Sequence, residues 1–415
     1  MPFNFNAMSS PQKLRLPEGL LTSRYDEGIV VLRRLIEDNH KQNRLLYKEV
    51  LHNHVQHGLI AAYCLGSSSA GLRQLFSEEI KELEPREESN GEKITTELVL
   101  DELLGHKENE LDFTIYFEQQ RCNSGVNGQE ALQYWVLDRK TEFLPGFIGG
   151  YAHPLIMFAD AVELGSSMLA FDALALTATD WGPLTTIITM DLPPPEICPN
   201  SLMEILDAIR NDSCFDHVVP SPGIQHIAKI LHYGPAATAI IRYLSMGNEY
   251  ILRPEFNLQL TEEMVEIAIY LLMCTHVPGA PAFDFYLNHN LTFVNCLRIL
   301  LPVFEHADAK KTLLRIYWLL TILAFVTQGR PVINTKLIQS RDVRPSHADW
   351  DDIKNAALNP IGTMNPKRIF DAHFLKAVHI MHTFGLVMED MEPLVLAAVR
   401  KFVGEFNNWV GFGAS

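Results

Sequence analysis

The stretch from Phe143 to Thr179, FLPGFIGGYAHPLIMFADAVELGSSMLAFDALALTAT, limits the possible folds of this chain more than any other. A Gly-rich approach (Gly146, Gly149, Gly150) leads into a helix opened by Pro154. A small-residue turn at Gly165-Ser166-Ser167 follows, and then a second apolar helix. Proline suits the first helical position, where its missing N–H would be unpaired anyway. That puts His153 at or beside the N-cap, a place better filled by Ser, Thr, Asp or Asn. A helix apolar almost all round has to be buried, so other helices must enclose this one. A histidine at its mouth lies near the positive end of the helix dipole, which opposes protonation. Neutral imidazole is the metal-binding form. A core histidine hydrogen-bonded to a carbonyl is the commoner alternative.

The rest of the chain agrees with an all-α fold. Apolar residues recur at helical spacing and period-2 alternation is almost absent. The pattern predicts helices over 25–43, 45–65, 96–104, 221–244, 261–274, 282–301, 312–327, 350–358, 366–384 and 392–409, with no fixed-period repeat. The acid-rich segment from Glu78 to Glu110 is broken by Pro85 and Ser89-Asn90-Gly91, and its first half reads as an exposed loop. Pro193-Pro194-Pro195 and Pro199 mark either a subdomain joint near 190–200 or a long surface crossing within one domain spanning 1–415.

Composition excludes several partners. A net charge of −16 without a Lys/Arg block speaks against nucleic acid. The most apolar run, Ile316 to Val326, is too short to span a bilayer, and the N-terminus lacks the apolar core of a secretory signal. Six cysteines without CxxC spacing fit a reducing compartment. These features predict a soluble, cytoplasmic protein.

Histidines carry the chemical signal. On a helix over 45–65, His54 shares a buried stripe with Tyr47, Gly58, Ala61 and Leu65, and His57 lies about 60° away. His52, about 200° from His54 and on the side of Lys48, Glu49 and Gln56, is expected in solvent. His289 aligns with Phe285, Thr292 and Cys296. His373 aligns with Ile369, Phe370, Ala377 and Ile380, and Lys376 lies one turn on. His379 and His382 drift to another face, because each step of three falls about 60° short of a turn. Thus four helices each bring one histidine, His54, His153, His289 and His373, to an apolar face. One buried histidine is usually structural; four suggest a metal centre inside a helical bundle. Other chemistries find no support. GFIGG has no βαβ context, and neither GxSxG nor HExxH occurs. LGSSSAG at 65–71 lacks the Lys-Ser/Thr of a phosphate loop.

Five motifs in order resemble the questin oxidase-like family of fungal and bacterial oxygenases. They are Asn53-His54-x-x-His57 with the helix after it, Gly149-Gly150-x-x-His153-Pro154-Leu155-Ile156, Asp284-Phe285 with His289 and Thr292, Gly329-Arg330-Pro331, and Asp371-x-His373-x-x-Lys376. Two family histidines are replaced, by Gly58 and Met157. Some members are described as Baeyer–Villiger-type enzymes of aromatic polyketide pathways.

The resemblance implies oxygenative C–C cleavage of a fused aromatic quinone, for example an anthraquinone opened to a benzophenone in secondary metabolism. It implies a large helical bundle-like domain with a central buried metal cavity, dioxygen and a small aromatic polyketide as partners, and NADPH as a diffusing reductant. No bound flavin is expected. Non-haem Fe(II) would be held by His54, His153, His289 and His373, with His57 beside the ligands or exchanging with one. A fifth, anionic ligand would come from Asp160, Glu163, Asp284 or Asp371, or from Lys376 as a carbamate (a carboxylated lysine). A protonated Lys376 would instead stabilise a developing enolate. The alternatives are a zinc hydrolase or isomerase on the same ligands, and a metal-free helical binding protein. The oligomeric state stays open.

Overall fold

The apolar stretch 143–179 folds into two consecutive helices that pack on each other, each buried over almost its full length. The computed structural model describes residues 21, 26–48, 50–87, 93–124, 129–338, 347–361 and 363–413. In chain order its elements begin with α1 (Glu27–Gln42), β1 (Leu46–Tyr47), β2 (Leu51–His52), α2 (Val55–Cys64), α3 (Ser69–Glu79), α4 (Glu97–Leu103), α5 (Glu110–Asn123) and α6 (Gln129–Gln133). The apolar pair is α7 (Gly149–Leu164) and α8 (Ser167–Thr179). Then come α9 (Pro183–Thr189), α10 (Leu202–Arg210), α11 (Ile227–His232), α12 (Gly234–Ile251) and α13 (Glu262–Met273). The chain closes with β3 (Phe283–Asp284), α14 (Phe285–Leu300), α15 (Ala307–Thr327), α16 (His347–Leu358), α17 (Ala372–Val387), α18 (Glu392–Glu405) and β4 (Trp409–Val410). The fold is all-α. The only strands among the described residues are these two-residue pairs, β1–β2 antiparallel and β3–β4 parallel.

Each helix starts where local chemistry favours it. Thr96, Ser166, Ser201 and Thr261 cap their helices by accepting a backbone N–H three residues on. The near capping box at Thr261 resolves simply: Thr261 accepts from Met264 N, while Glu263 reaches across to the N–H of Leu202 at 2.7 Å. α7 opens abruptly. Gly150, Tyr151 and Ala152 all have left-handed backbone angles (φ 53°, 57° and 63°), and the right-handed helix begins only after them. This places Pro154 in the first turn and His153 at its head, as the sequence suggests.

Three expected helices are broken, each for a visible reason. The segment 45–65 is a hairpin followed by α2. Asn53 donates to the backbone carbonyl of Arg44 and to Asn39 Oδ1 and accepts from Val55 N, a local network that competes with helix. Lys48 turns the hairpin with φ 50°. The segment 221–244 breaks at Tyr233, ahead of Pro235 in the first turn of α12. The segment 366–384 divides at Asp371, which caps α17 through the N–H groups of His373 and Phe374. Tyr25 and residues 88–92 of the expected loop lie outside the described residues.

Around α7, four helices close a circuit that positions the site. α2 touches α7, α7 touches α14, α14 touches α17, and α17 returns to α2. α8 lies behind α7 and packs on α5. Buried apolar side chains form one cluster running from Leu21 to Phe406. The proline-rich segment is tied down: Arg315 donates to the carbonyls of Ile188 and Met190, and Arg253 donates to that of Pro199 at 2.6 Å. Among the described residues, no helix is long and apolar enough to cross a membrane.

Candidate active site

His54, His153, His289 and His373 come from the four segments of that circuit, and their rings meet in the same cyclic order. Centroids lie 5.0 Å apart for His54–His153, 5.9 Å for His153–His289, 5.1 Å for His289–His373 and 4.5 Å for His373–His54. The Nε2 atoms of His54 and His153 are 2.9 Å apart. The structure therefore brings all four predicted histidines together.

Each ring is set by its own local device. His153 Nδ1 lies 2.6 Å from the Gly150 carbonyl, and His289 Nδ1 lies 2.8 Å from that of Phe285. A carbonyl only accepts, so both rings carry the proton on Nδ1 and present a lone pair on Nε2. Against that lone pair, His54 must donate its own Nε2 proton. The backbone N–H of His373 donates to the Asp371 cap, and Asp371 is fixed in turn by Trp409 Nε1 at 2.8 Å. The buried Nε2 of His373 has no partner.

Burial keeps the rings neutral. It pushes His54, His153 and His373 well below the ordinary histidine range, and the neighbouring imidazoles and Lys376 add to the effect. His289 is held at about 3 by burial and then by Lys376. Lys376, one turn after His373, is 5% exposed and its Nζ has no partner. Burial lowers its pKa to about 8, against the pull of Asp160, Cys296, Asp371 and Glu79.

Lys376 also lines a small cavity of ≈ 20 Å³ with His57, Asp160, Thr292, Cys296 and His379. That volume holds about one water molecule. His57 Nδ1 is hydrogen-bonded to the Asp160 carboxylate. His379 corrects the sequence expectation. It lies only about 60° beyond Lys376, so it shares this cavity, and neither of its nitrogens has a partner. His382 is separate, half-buried against Trp350. The candidate carboxylates are engaged elsewhere. Glu163 pairs with Arg298 at 2.6 Å, Asp284 and Asp371 cap α14 and α17, and Asp160 holds His57. Gly58 is packed tightly, since a Cβ there would meet Ala372 Cβ at 3.1 Å. A side chain at position 58 would need α2 or α17 to give by a few tenths of an ångström. Met157 is buried in α7.

His52 is the clearest correction. It is buried, not solvated: Nε2 lies 2.7 Å from Asp180 Oδ2, and its ring stacks on His153 at 3.9 Å with an interplanar angle of 6°. Lys107 holds the other oxygen of Asp180 at 2.9 Å. The error came from reading helical phase through a hairpin. Asn53 as a local helix breaker was the available signal, since in a strand His52 points opposite to its neighbour Leu51. On the far side, Phe285 lies tilted against His373 at 4.4 Å, and Tyr151 stands edge-on at 5.1 Å from His289. Phe412, 53% exposed, lies over Phe285.

Among the described residues, no group of three or more His, Cys, Asp or Glu side chains is placed so that, as it stands, it could hold a metal ion. What the described residues form is a ring of neutral imidazoles. In donor chemistry the ring suits a first-row metal. It offers imidazole nitrogens with fixed tautomers, an orphaned His373 Nε2 and an unpartnered amine next to it.

An all-α protein that buries unprotonated imidazoles around an unpartnered amine has the build of an enzyme, because such groups are costly unless chemistry uses them. The chain belongs to the questin oxidase-like family, whose pattern matches residues 51–381, a span containing all four histidines and Lys376. It is an oxidoreductase. A Baeyer–Villiger oxidase of Pestalotiopsis microspora is 22% identical over 351 residues, 79% of this chain and 76% of that protein. A second, from Paecilomyces divaricatus, is 22% identical over 284 residues, 64% of this chain; the match spans 60% of that relative's length.

Proposed function

We propose that this protein is an oxygenase of aromatic polyketide metabolism that opens a fused, anthraquinone-type quinone by C–C cleavage with dioxygen. Non-haem Fe(II) would be held by His54, His153, His289 and His373, with Lys376 as a carbamylated ligand. One observation carries the reading: a buried lysine amine without a partner stands beside four neutral imidazoles, in a family whose relatives are named as Baeyer–Villiger oxidases. Iron held by these residues would supply the activation of dioxygen.

The remaining roles belong to the chain. Nδ1 of His153 and of His289 donates to a carbonyl, so each presents its lone pair on Nε2; that of His153 accepts from His54 Nε2 in the structure. His54 and His153, whose Nε2 atoms lie 2.9 Å apart, would both turn this nitrogen to the metal once His54 carries its proton on Nδ1. Lys376, when neutral, attacks the carbon of CO2 through its Nζ lone pair. An N–C bond forms, one C=O pair moves to oxygen, and one proton is lost from nitrogen. The His57–Asp160 pair in the same cavity is a base for that proton. The resulting carbamate supplies the negative charge that the imidazoles lack. Phe285 and Tyr151 flank His373 and His289 and exclude water on the other side. We infer likewise that NADPH serves from solution as reductant and that no flavin is bound.

Metal analysis by mass spectrometry, together with turnover of a hydroxyanthraquinone under air and under nitrogen, tests the reading. Iron and a ring-opened product formed only under air are expected. Zinc with oxygen-independent turnover would make the protein a hydrolase, and a metal-free protein without turnover would make it a binding protein.

A further inference from the structure

His153 is held from outside the four-helix circuit as well as from within it. His52, at the end of β2, lays its ring on that of His153 at 3.9 Å and 6°. Its Nε2 lies 2.7 Å from Oδ2 of Asp180, the residue that directly follows α8. A carboxylate accepts, so His52 Nε2 carries the proton and donates it. Lys107, between α4 and α5, pairs with Asp180 Oδ1 at 2.9 Å. The Asp180 side chain is 1% exposed, and a charge so deeply buried is tolerated only with partners of this kind. Gripped on both oxygens, the carboxylate cannot turn without losing one of them, and so it fixes His52.

The same pair supports the peptide that holds His153. Nδ1 of His153 donates to the carbonyl of Gly150, which opens the left-handed run Gly150-Tyr151-Ala152. Residues with a Cβ rarely adopt that conformation, and it persists where the surroundings fix it. Here the surroundings are Asp180 and His52. A Cβ on Gly149 would meet the Asp180 backbone carbonyl, and a Cβ on Gly150 would meet the Asp180 carboxylate and His52 Nε2. Two constraints on His153 thus share one support. The carbonyl bond sets the direction of Nδ1, and the stack sets the plane of the ring. Together they leave Nε2 pointing at His54, into the ring of histidines.

We propose that His52 and Asp180 are positioning residues for His153, aiming its Nε2 lone pair into the ring of four histidines, with Lys107 balancing the buried carboxylate. That this lone pair binds iron rests on the proposed function. That the imidazole is oriented by the pair rests on the stack, the doubly held carboxylate and the left-handed run alone.

The test follows the His153 Nδ1 proton by nuclear magnetic resonance in the full-length protein, with isotope-labelled histidine and a chelator present. The signal is assigned by its loss in His153→Ala. The Nδ1 proton of His289, whose acceptor Phe285 lies in its own helix, is the internal control. His52→Leu removes the flat face and Asp180→Leu removes the anchor. In each, the His153 proton should exchange with water roughly 10-fold faster, while the His289 proton stays within about twofold of the parent. Asp180→Asn keeps an oxygen acceptor for His52 and should bring the His153 proton back to within about threefold of the parent. Leucine at position 52 leaves Asp180 paired with Lys107, so His52→Leu decides the question if Asp180→Leu does not fold. A parent-like His153 proton in His52→Leu, or His153 and His289 protons accelerated alike, overturns the proposal and leaves His52 and Asp180 as a structural pair. Both protons are read without metal, so this result stands apart from the proposed function: a failure to find iron would count against that reading and not against the positioning.

Discussion

Replacing Lys376 by methionine should make the metal-free protein more stable and inactive. Lys376 is almost fully buried with an unpartnered Nζ, and burial moves its pKa from 10.5 to about 8. At about 1.4 kcal/mol per pH unit, that depression corresponds to a cost of about 3 kcal/mol for carrying the charge into the fold. The pH dependence has a definite sign. The unfolded chain binds this proton more tightly than the folded chain, so the cost is complete below pH 8. It is relieved as pH rises from about 8 to 10.5 and is absent above. Methionine fills a similar volume without charge. In denaturant titrations of metal-stripped protein in CO2-free buffer, Lys376→Met should exceed the parent by up to about 3 kcal/mol at pH 7, with the gap closing towards pH 10.5. A destabilised variant, or a gap that does not change with pH, would mean that the amine has a partner in solution and would refute the reasoning. Added iron and bicarbonate should then stabilise the parent but not the variant.

His54→Ala, His153→Ala, His289→Ala and His373→Ala are each expected to lose bound iron while keeping far-ultraviolet circular dichroism; full metal occupancy in all four would remove the ring as the site. Lys376→Arg, unable to ligate, should lose metal and turnover, whereas Lys376→Glu should keep some metal with poor turnover, read by metal analysis and product formation. His52→Ala should cost about 1–3 kcal/mol in thermal or chemical unfolding, because it removes a buried partner of Asp180 and a stacking face of His153. His40 gives a second pH signature: burial lowers its pKa, but the ion pair with Asp172 overrides this and raises it to about 9. Its stabilisation is therefore complete below pH 6.5 and lost as pH rises through about 9, and His40→Gln should flatten the stability profile across that window.

The helices that buried most were the most legible. Residues 143–179 are apolar on every face, and no partner could reverse that reading. The four ring histidines were legible for the same reason, since each lies among apolar neighbours at helical spacing. What failed was phase. Asn53 takes the chain out of helix just before α2, so angles counted back to His52 had no physical meaning, and a buried stacking partner looked like a solvated one. His379 failed more narrowly, because faces were treated as discrete where a helix turns in steps of about 100°. Asp180 was beyond reach: its importance comes from His52 and Lys107, which the fold brings to it from far away in the chain, a long-range property that local periodicity does not carry. The role of Gly58 likewise becomes visible only when Ala372 of α17 stands against it.

The circuit of four helices also fixes an order of assembly. Its corners stand at positions 54, 153, 289 and 373, so during synthesis three imidazoles are available long before the last one appears. No fragment that stops short of α17 holds the full ring or the lysine. Contacts that close over such separations form late in folding, after the loops between them have been ordered. α7 and α8, adjacent in sequence and apolar throughout, are the natural early nucleus, and α17 is the element that locks it by packing on both α2 and α14. Truncations or hinge mutations far from any histidine should then appear first as lost metal, before any loss of helix. With iron in the ring as proposed, its occupancy would gauge whether the distant ends of this chain have found each other.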